Sequence, residues 1–374
     1  MTSRERVTAA FSHEEPDRTP IMEYVLYSPV AERILKRPFI DYTRDAAEWL
    51  ERAAHQGFEK ALKQYVRDRI DLCRILGHDM LYLCPNPVPG TGDAYNPVLE
   101  GERFKEASED PVERMKERNA LVAAGPAVNP PPLDSLLVFH LFKEEMKREG
   151  LDLPILAPAY FHGVWSDVDL MQTMALDEGV AQEHFSLASE RAFRLIDAYA
   201  EIGIEMIGIG GDFAGNRLLI SPEAYRRFIV GEVKRVSDRV HGYGGWAVNA
   251  TDGNLWDVID DFLIGCGVDG YLEIDMGAGM DLKKLKLAYG DRITFLGNMD
   301  CGNILSYASP EVIAKITREI LEAGSGRGGH IFTASNAITE TVPLENYCAM
   351  VNAYREAFGL ARLQILQNKA EGRV

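Results

Sequence analysis

Short apolar runs recur along the whole chain, and the stretches between them have the spacing of amphipathic helices. The eight runs are Pro20–Val25, Asp79–Leu83, Pro154–Tyr160, Glu205–Phe213, Trp246–Asn249, Gly270–Ile274, Ile293–Leu296 and His330–Thr333. Apolar strands that alternate with helices favour a parallel sheet covered on both faces. Eight such strands predict an α/β fold, a (β/α)8 TIM barrel, formed by residues 1–374 as a single domain.

Polar residues follow every run at the point where the strand should end. They are Glu23 with Tyr24, Cys84 with Asn86, His162, Asp212, Asp252 with Asn254, Glu273 with Asp275, Asn298 with Asp300, and Ser335 with Asn336. In a barrel of parallel strands the carboxyl ends surround one mouth, where catalytic groups gather. The sequence therefore predicts the position of a site as well as a fold.

The composition excludes several classes of function. A formal net charge of −17 over 374 residues leaves no basic surface for a nucleic acid. The acidic surface is either ordinary or helps to select a protein partner. No apolar run approaches the roughly 20 residues that span a bilayer, so we expect no membrane association. The first residues lack the apolar core of a signal peptide, and five cysteines without a CxxC pair fit a reducing compartment. We therefore expect a cytoplasmic protein, and a homodimer is one option for its assembly.

Three segments depart from the strand and helix alternation. The pattern over Ser3–His13 predicts an N-terminal helical segment. Residues 84–132 have prolines near both ends and a charged middle, which predicts a long loop excursion after strand 2 over the barrel mouth. A second small domain is the alternative for this segment. Residues 369–374 are expected to form a loose tail.

Three carboxyl groups are the candidate catalytic residues: Asp212, Asp252 and Glu273. Gly210 and Gly211 precede Asp212, and glycine allows a ligand to come close to the backbone. Neighbouring carboxyl groups that are partly removed from water raise the pKa of one of them, which produces a general acid at neutral pH. The alternative is a structural role in helix caps, ion pairs or turns.

Eight further residues at or near the strand ends are candidates for substrate binding. They are Glu23, Tyr24, Tyr160, His162, Asn254, Asn298, Asp300 and Asn336. Each has a structural alternative, since a histidine beside aromatic residues is often packed, and amides often bind loop backbone. Motifs for phosphate loops, dinucleotide sites, nucleophile elbows and helical zinc sites do not occur in the sequence.

Five stretches together resemble the uroporphyrinogen decarboxylase superfamily, and their order covers nearly the whole chain. They are Arg4–Val7 with Pro16–Pro20, Leu219–Tyr225, Thr251–Asn254, Gly297–Asp300 and Val342–Asn346. The resemblance implies a (β/α)8 barrel, in agreement with the strand pattern. One branch of the superfamily decarboxylates the acetate arms of a cyclic tetrapyrrole and carries an arginine-rich signature after the first strand. Here residues 21–27 contain no arginine to bind such a polyanion, which disfavours that activity.

The other branch implied by the resemblance contains methyltransferases that work with a corrinoid protein. Its thiol-methylating members bind zinc through a His-x-Cys motif and a later cysteine. The matching positions here are Ala250, Asp252 and about Asn336, so zinc is doubtful and no metal ligand is expected.

We therefore expect a corrinoid-dependent methyltransferase that moves a methyl group from a small donor to the cobalt of cobalamin on a corrinoid protein. A methoxylated aromatic compound is the favoured donor, which would make the protein an O-demethylase. The alternatives are a methylcobalamin-dependent thiol methyltransferase, a decarboxylase or lyase acting on a small acid, and a catalytically silent barrel. The carboxylates could also hold a hard metal ion, because such ions prefer oxygen ligands.

Overall fold

A single parallel sheet organises the protein. The computed structural model describes residues 1–88, 108–124, 133–363 and 365. Seven strands pair in chain order, each parallel to the next. They are β1 (Leu81–Tyr82), β2 (Ile155–Pro158), β3 (Met206–Gly210), β4 (Trp246–Ala250), β5 (Gly270–Leu272), β6 (Thr294–Leu296) and β7 (His330–Ile331). All seven lie within, or end one residue beyond, runs that the sequence predicts to be strands.

The first predicted strand, Pro20–Val25, is not a regular strand. Only Ile21 pairs there, in a parallel bridge to Phe332 directly after β7. The Ile21 carbonyl also accepts from the Asp79 backbone N–H at 2.7 Å, just before β1. Pro20 cannot donate a ladder hydrogen bond, so regular pairing cannot start before Ile21. This one residue still joins both edges of the sheet, which curls into a TIM-barrel-like ring.

Helices connect the strands and cover the outer face of the sheet. They are α1 (Ser3–Phe11), α2 (Ser28–Leu35), α3 (Ala46–Gln56), α4 (Phe58–Leu76), α5 (Pro111–Ala124), α6 (Leu137–Glu149), α7 (Val168–Leu176), α8 (Glu178–Ile202), α9 (Pro222–Tyr225), α10 (Gly231–His241), α11 (Leu282–Tyr289), α12 (Pro310–Gly324) and α13 (Leu344–Ala357). No helix in the described part of the chain is both long and apolar enough to cross a membrane.

The segment 84–132 contains a helix, which corrects the prediction of an uninterrupted loop. Helix α5 lies in its middle and packs against α7 and α8. The guanidinium groups of Arg114 and Arg118 pair with Asp169 and Asp167 at 2.6 and 2.7 Å. Residues 89–107, 125–132 and the predicted tail 369–374 lie outside the described residues. The placement of the excursion over the barrel mouth therefore stays a prediction.

The interior of the ring is a separate apolar layer. Its buried members come from alternate strand positions and from α1: Val7, Ala10, Phe11, Met22, Met80, Leu156, Met206, Val248, Leu272, Leu296 and Ile331. Helix α1 closes the end of the ring at which the strands begin, where Phe11 stacks on Trp246 with ring centroids 5.0 Å apart. Polar groups of a site can therefore gather only at the opposite end.

A buried carboxylate holds α1 and the closing segment to the sheet. Asp79 is fully buried and binds the guanidinium groups of Arg6 at 2.7 Å and Arg18 at 2.6 Å. Its Oδ2 also accepts from the Ile21 backbone N–H at 3.0 Å. These contacts satisfy both oxygens of a buried charge, which would otherwise be costly. Arg6 and Arg18 belong to the first two stretches of the family resemblance.

The first prediction concerns this ion-pair cluster. Replacing Asp79 by alanine should lower the free energy of unfolding by about 3–5 kcal/mol, because it leaves two arginines without their buried partner. Urea unfolding followed by circular dichroism would measure the change. The matched control is Asp152→Ala, which removes an exposed partner of Arg4 and should cost no more than about 1 kcal/mol. Equal losses in the two variants would contradict the assigned role of Asp79.

Candidate active site

Three carboxyl groups from neighbouring strands meet at the mouth of the ring. Asp212 follows β3, Asp252 follows β4 and Glu273 follows β5. Asp212 Oδ1 accepts from the Asp252 backbone N–H at 3.0 Å. Across the mouth, Asn336 Nδ2 donates to Asp252 Oδ2 at 2.5 Å. The structure thus brings together four residues that the sequence selects, and we call Asp212, Asp252 and Glu273 the carboxyl cluster.

Glycine makes this convergence sterically possible. A Cβ atom on Gly210 would lie 2.4 Å from Asn249 Oδ1 and 2.5 Å from the Ala250 carbonyl oxygen. A Cβ atom on Gly211 would lie 2.9 Å from the Phe161 ring. Both glycines also have positive φ angles, which other residues rarely adopt. The neighbour that approaches Gly210 so closely is strand β4 itself, whereas the sequence suggested a ligand.

Glu273 reaches the cluster through an unusual backbone conformation. Strand β5 ends at Leu272, and Glu273 has a φ angle of 70°, in the left-handed region. In a regular strand, Glu273 and Asp275 would point to the same face because they are two residues apart. The strand ends before Glu273, so this rule does not apply to the pair. The Glu273 side chain is buried. A left-handed backbone at a buried residue other than glycine costs about 1–3 kcal/mol and is concentrated at functional sites.

The carboxyl cluster contains more negative charge than its surroundings neutralise. In the parts of the chain that the structure describes, none of its three members forms an ion pair with lysine or arginine. Burial, with repulsion from Asp212 and Asp275, raises the pKa of Asp252 to about 7. Burial and repulsion from Asp252 and Asp212 raise the pKa of Glu273 well above its ordinary value. Burial also raises the pKa of Asp212. Burial therefore favours the protonated form of all three groups.

Three further candidates at the mouth hydrogen-bond to loop atoms. Asn254, Asn298 and Asp300 follow β4 and β6, as the sequence predicts. Their partners are the Ala278 carbonyl at 2.9 Å, the Met280 carbonyl at 3.4 Å and the Asn303 backbone N–H at 2.7 Å. Asn298 Oδ1 is buried without a hydrogen-bond partner among the described residues. These contacts stabilise the loops around the cluster, and substrate binding by the three residues stays a prediction.

Among the described residues, no hydrogen bond joins the side chains of Glu23, Tyr160 or His162 to the carboxyl cluster. Glu23 Oε1 accepts from the Thr333 hydroxyl and the Ala334 backbone N–H, both at 3.2 Å. Burial raises the pKa of Glu23 to about 7. Burial and then repulsion from Glu232 on α10 raise the pKa of Tyr160.

His162 is buried among aromatic rings. The rings of Phe161 and Phe213 lie 6.1 and 5.9 Å from its imidazole, and its Nδ1 accepts from the Val164 backbone N–H at 3.3 Å. Burial lowers the pKa of His162 to about 3, so the ring is neutral at physiological pH. These contacts are those expected of a histidine packed beside aromatic residues, and substrate binding by His162 stays a prediction.

Two residues near the cluster were missed by the sequence reasoning. The ring of Tyr82 contacts that of Tyr24 edge to face, with centroids 4.5 Å apart. Strand alternation could have found Tyr82, because it lies two residues after the inward-facing Met80. Cys301 is half-buried, with its Sγ 3.7 Å from Ser335 Oγ, and repulsion from Asp252 contributes to the raised pKa of its thiol after burial. It begins a short π-helical turn, Cys301–Leu305, after β6, and the sequence pattern does not predict the direction of its side chain.

Among the described residues, no group of three or more histidine, cysteine, aspartate or glutamate side chains has a geometry that could hold a metal ion. At the three positions where the resemblance places zinc ligands, the chain has a methyl group, a carboxylate and an amide. The carboxylate of Asp252 and the amide of Asn336 hydrogen-bond to each other. This donor set does not fit a zinc-thiolate centre, which requires soft sulfur ligands.

The fold and site together describe a barrel-like α/β protein with a carboxyl-rich mouth. The chain belongs to the uroporphyrinogen decarboxylase (URO-D) family, whose sequence model matches residues 166–357. Uroporphyrinogen decarboxylase of Azoarcus sp. (strain BH72) is 22% identical over 200 residues, 52% of this chain and 53% of that protein. The enzyme of Chloroflexus aggregans is 28% identical over 159 residues, 40% of each chain. The chain thus spans about half the length of the curated relatives that it matches.

A solved structure extends the similarity to nearly the whole fold. A methyltransferase from Methanosarcina mazei superposes with a TM-score of 0.68 and covers 96% of this chain and 99% of its own. The two sequences are 19% identical, so the similarity demonstrates a shared fold.

The second prediction follows from the raised pKa of Asp252. The folded-state pKa of about 7 exceeds the ordinary 3.8, so the protonated form favours folding and this contribution is lost as the pH rises through 7. The variant Asp252→Asn should therefore gain stability relative to the wild type by about 1–3 kcal/mol between pH 5 and pH 8. Urea unfolding of both proteins across this range would measure the difference. A difference that does not change with pH would contradict the raised pKa.

Proposed function

We propose that the protein is a methyltransferase that takes a methyl group from a small donor and passes it to a corrinoid on a partner protein. The favoured donor is a methoxylated aromatic compound. The observation that carries the proposal is the carboxyl cluster, in which three carboxyl groups meet without a lysine or arginine partner among the described residues. Burial and mutual repulsion favour the protonated forms of Asp252 and Glu273. When an aryl methyl ether loses its methyl group, the leaving group is a phenolate unless the ether oxygen is protonated. A carboxylic acid beside that oxygen therefore promotes methyl transfer.

Within the cluster we assign the role of general acid to Glu273. It is the most buried of the three carboxyl groups, and both of its charged neighbours favour its protonated form. Asp252 is more exposed and has a pKa near 7, which suits a group that exchanges protons with solvent. Asp212 fixes the Asp252 backbone through its carboxylate oxygen. The three groups titrate as a coupled set, so the proton belongs to the cluster before it is delivered.

The corrinoid would supply a nucleophilic cobalt that accepts the methyl group. An exposed apolar rim next to Asp212 supports docking of its carrier protein. Phe161, Trp165 and Leu219 are all large and exposed. The backbone N–H of Trp165 binds the Asp212 carbonyl, and that of Leu219 binds the Phe213 carbonyl, so the rim is fixed to the cluster. Apolar groups of this size at a surface often mark an interaction site.

A decarboxylase is the second candidate, because the curated relatives are uroporphyrinogen decarboxylases. The charge at the mouth opposes the binding of a polycarboxylate, since the cluster would repel it and residues 21–27 contain no arginine. A thiol methyltransferase is less favoured, because the residues at the zinc positions do not fit that metal. Release of carbon dioxide from small carboxylic acids would identify the decarboxylase.

The third prediction tests Glu273 directly. Cob(I)alamin, free or on a corrinoid protein, would be mixed anaerobically with the protein and with methoxyarenes, methylamines or betaines, and its absorbance followed. The wild type should consume cob(I)alamin with methoxyarenes. The variant Glu273→Gln should do so roughly 100- to 10,000-fold more slowly, because it cannot donate the proton. The decrease in rate should be smallest for methoxyarenes whose leaving phenols are the most acidic, because such leaving groups need protonation least.

The control is Glu232→Gln on α10. Glu232 and Glu273 are both 8% exposed, but Glu232 lies on α10 and pairs with Arg235. This variant should retain the wild-type rate. Consumption of cob(I)alamin by Glu273→Gln at the wild-type rate would remove Glu273 from the mechanism. Failure of every donor with the wild type would overturn the proposal and favour the decarboxylase or a catalytically silent barrel.

A further inference from the structure

Asn336 extends into the mouth from a backbone that is fixed on both sides. The Ser335 backbone N–H donates to the Met299 carbonyl at 2.8 Å. The Ile338 backbone N–H donates to the Val25 carbonyl, also at 2.8 Å. The residues that flank Asn336 are therefore held to the segment after β6 and to the segment that closes the ring. From this position its side-chain amide reaches across the mouth to the carboxyl cluster.

Two hydrogen bonds determine the orientation of the Asn336 amide. Its Oδ1 accepts from the Ala337 backbone N–H at 2.6 Å, and its Nδ2 donates to Asp252 Oδ2 at 2.5 Å. Turning the amide over would place its NH2 group against the Ala337 N–H, so that two donors would face each other. This conflict exists whether or not Asp252 is protonated. The amide therefore keeps its nitrogen toward Asp252.

The Asn336 contact makes the two oxygens of Asp252 unequal. An amide nitrogen donates and cannot accept, so Oδ2 serves as the acceptor in this pair. In a protonated carboxyl group the carbonyl oxygen is a stronger acceptor than the hydroxyl oxygen. The contact at Oδ2 thus favours the protonated form in which the hydrogen is on Oδ1, the oxygen to which no described residue donates.

We propose that Asn336 is a positioning residue that directs the exchangeable proton of Asp252 to Oδ1. Oδ2 accepts from Asn336 in both the charged and the protonated form. Asp252 is half-buried, so Oδ1 is the oxygen that exchanges this proton with the space of the mouth. A proton at one defined atom is what a group that gives and takes protons requires.

The other groups that face Asp252 act against Asn336. Burial, with repulsion from Asp212 and Asp275, raises the pKa of Asp252, whereas the hydrogen bond from Asn336 lowers it. The further titratable groups that interact with Asp252 lie in or after β5 and β6, and none is a cation: Tyr271, Glu273 and Cys301. Among the described residues, Asn336 is thus the side chain that stabilises the charged form of Asp252.

Only the catalytic use of this proton rests on the proposed function. The position of the proton is measurable without a methyl donor, from the infrared carbonyl band of protonated Asp252. This band is identified by its absence in Asp252→Asn. Its pH midpoint gives the pKa of Asp252, and its frequency is lower when the carbonyl oxygen accepts a hydrogen bond.

The fourth prediction uses Asn336→Leu, which removes the amide and keeps a side chain of similar size. The midpoint of the Asp252 band should move up by about 1–2 pH units, because the charged form loses its donor. The band should also move to higher frequency, because Oδ2 is the carbonyl oxygen. Gln64→Leu is the matched control: it removes an amide that donates to Asp68 on α4 at 2.9 Å and should change neither property.

A second variant, Asn336→Asp, keeps the size of the side chain and the acceptor for the Ala337 N–H. It replaces the donor to Asp252 by a carboxyl group, so the midpoint of the Asp252 band should again rise. Adding Asp252→Asn to this variant isolates the band. An unchanged midpoint in either folded variant would overturn the inference. An unchanged frequency in Asn336→Leu would also overturn it, because the proton would then not depend on the contact at Oδ2.

The same variants separate this inference from the proposed function. If the protein transfers methyl groups, the pH profile of the rate should shift in Asn336→Leu together with the infrared midpoint, which a purely structural role would not produce. Shifts of the infrared band without methyl transfer by the wild type would retain the positioning role and reject the function. Methyl transfer by a protein whose Asp252 band does not respond to Asn336→Leu would do the reverse.

Discussion

The contacts of the buried Asp79 carboxylate determine the geometry of both ends of the ring. At the closed end it binds Arg6 of α1 and Arg18, so the helix that fills this end is tied to the sheet. Its paired backbone and side-chain contacts with Ile21 join the two edges of the sheet. Tyr24 lies three residues after Ile21, and Tyr82 lies three residues after Asp79. The pairing of Ile21 with Asp79 therefore brings the two tyrosines together toward the mouth. The contacts of Asp79 thus align these two aromatic rings, which meet edge to face.

The residues that close the ring and the residues that would decide the reaction lie at opposite ends of the barrel. Charged side chains of Arg4–Val7 and Pro16–Pro20, two segments of the family resemblance, build the ion-pair cluster around Asp79 at the closed end. They would be needed by any barrel closed in this way, whatever reaction occurs at its mouth. The residues that decide the reaction come singly from separate strand ends, and a fold can host different chemistry at such positions.

The strand pattern predicted most of the fold because each buried strand is apolar along its length. It also placed Asp212, Asp252 and Asn336 at the mouth, since the strands around a barrel end at one rim. It could not predict that Pro20–Val25 pairs only through Ile21, which depends on the backbone pairing around the proline. Nor could it find the turn of the chain at Glu273. A left-handed backbone at glutamate has no signal in the sequence, because it is imposed by tertiary contacts.

The sign of the charge at the mouth separates the two chemistries open to this family. A site that decarboxylates a polyanion must present cations, which stabilise the bound carboxylates and depress the pKa of nearby acids. The carboxyl cluster does the reverse, because burying several carboxyl groups without a cation raises their pKa values and favours their protonated forms. Such a site would repel a polycarboxylate and, under the proposed function, would protonate a neutral donor. Protonation of one carboxyl group lowers the electrostatic free energy of burying the carboxyl cluster. The proton that stabilises the folded cluster would therefore also be the proton that a general acid donates.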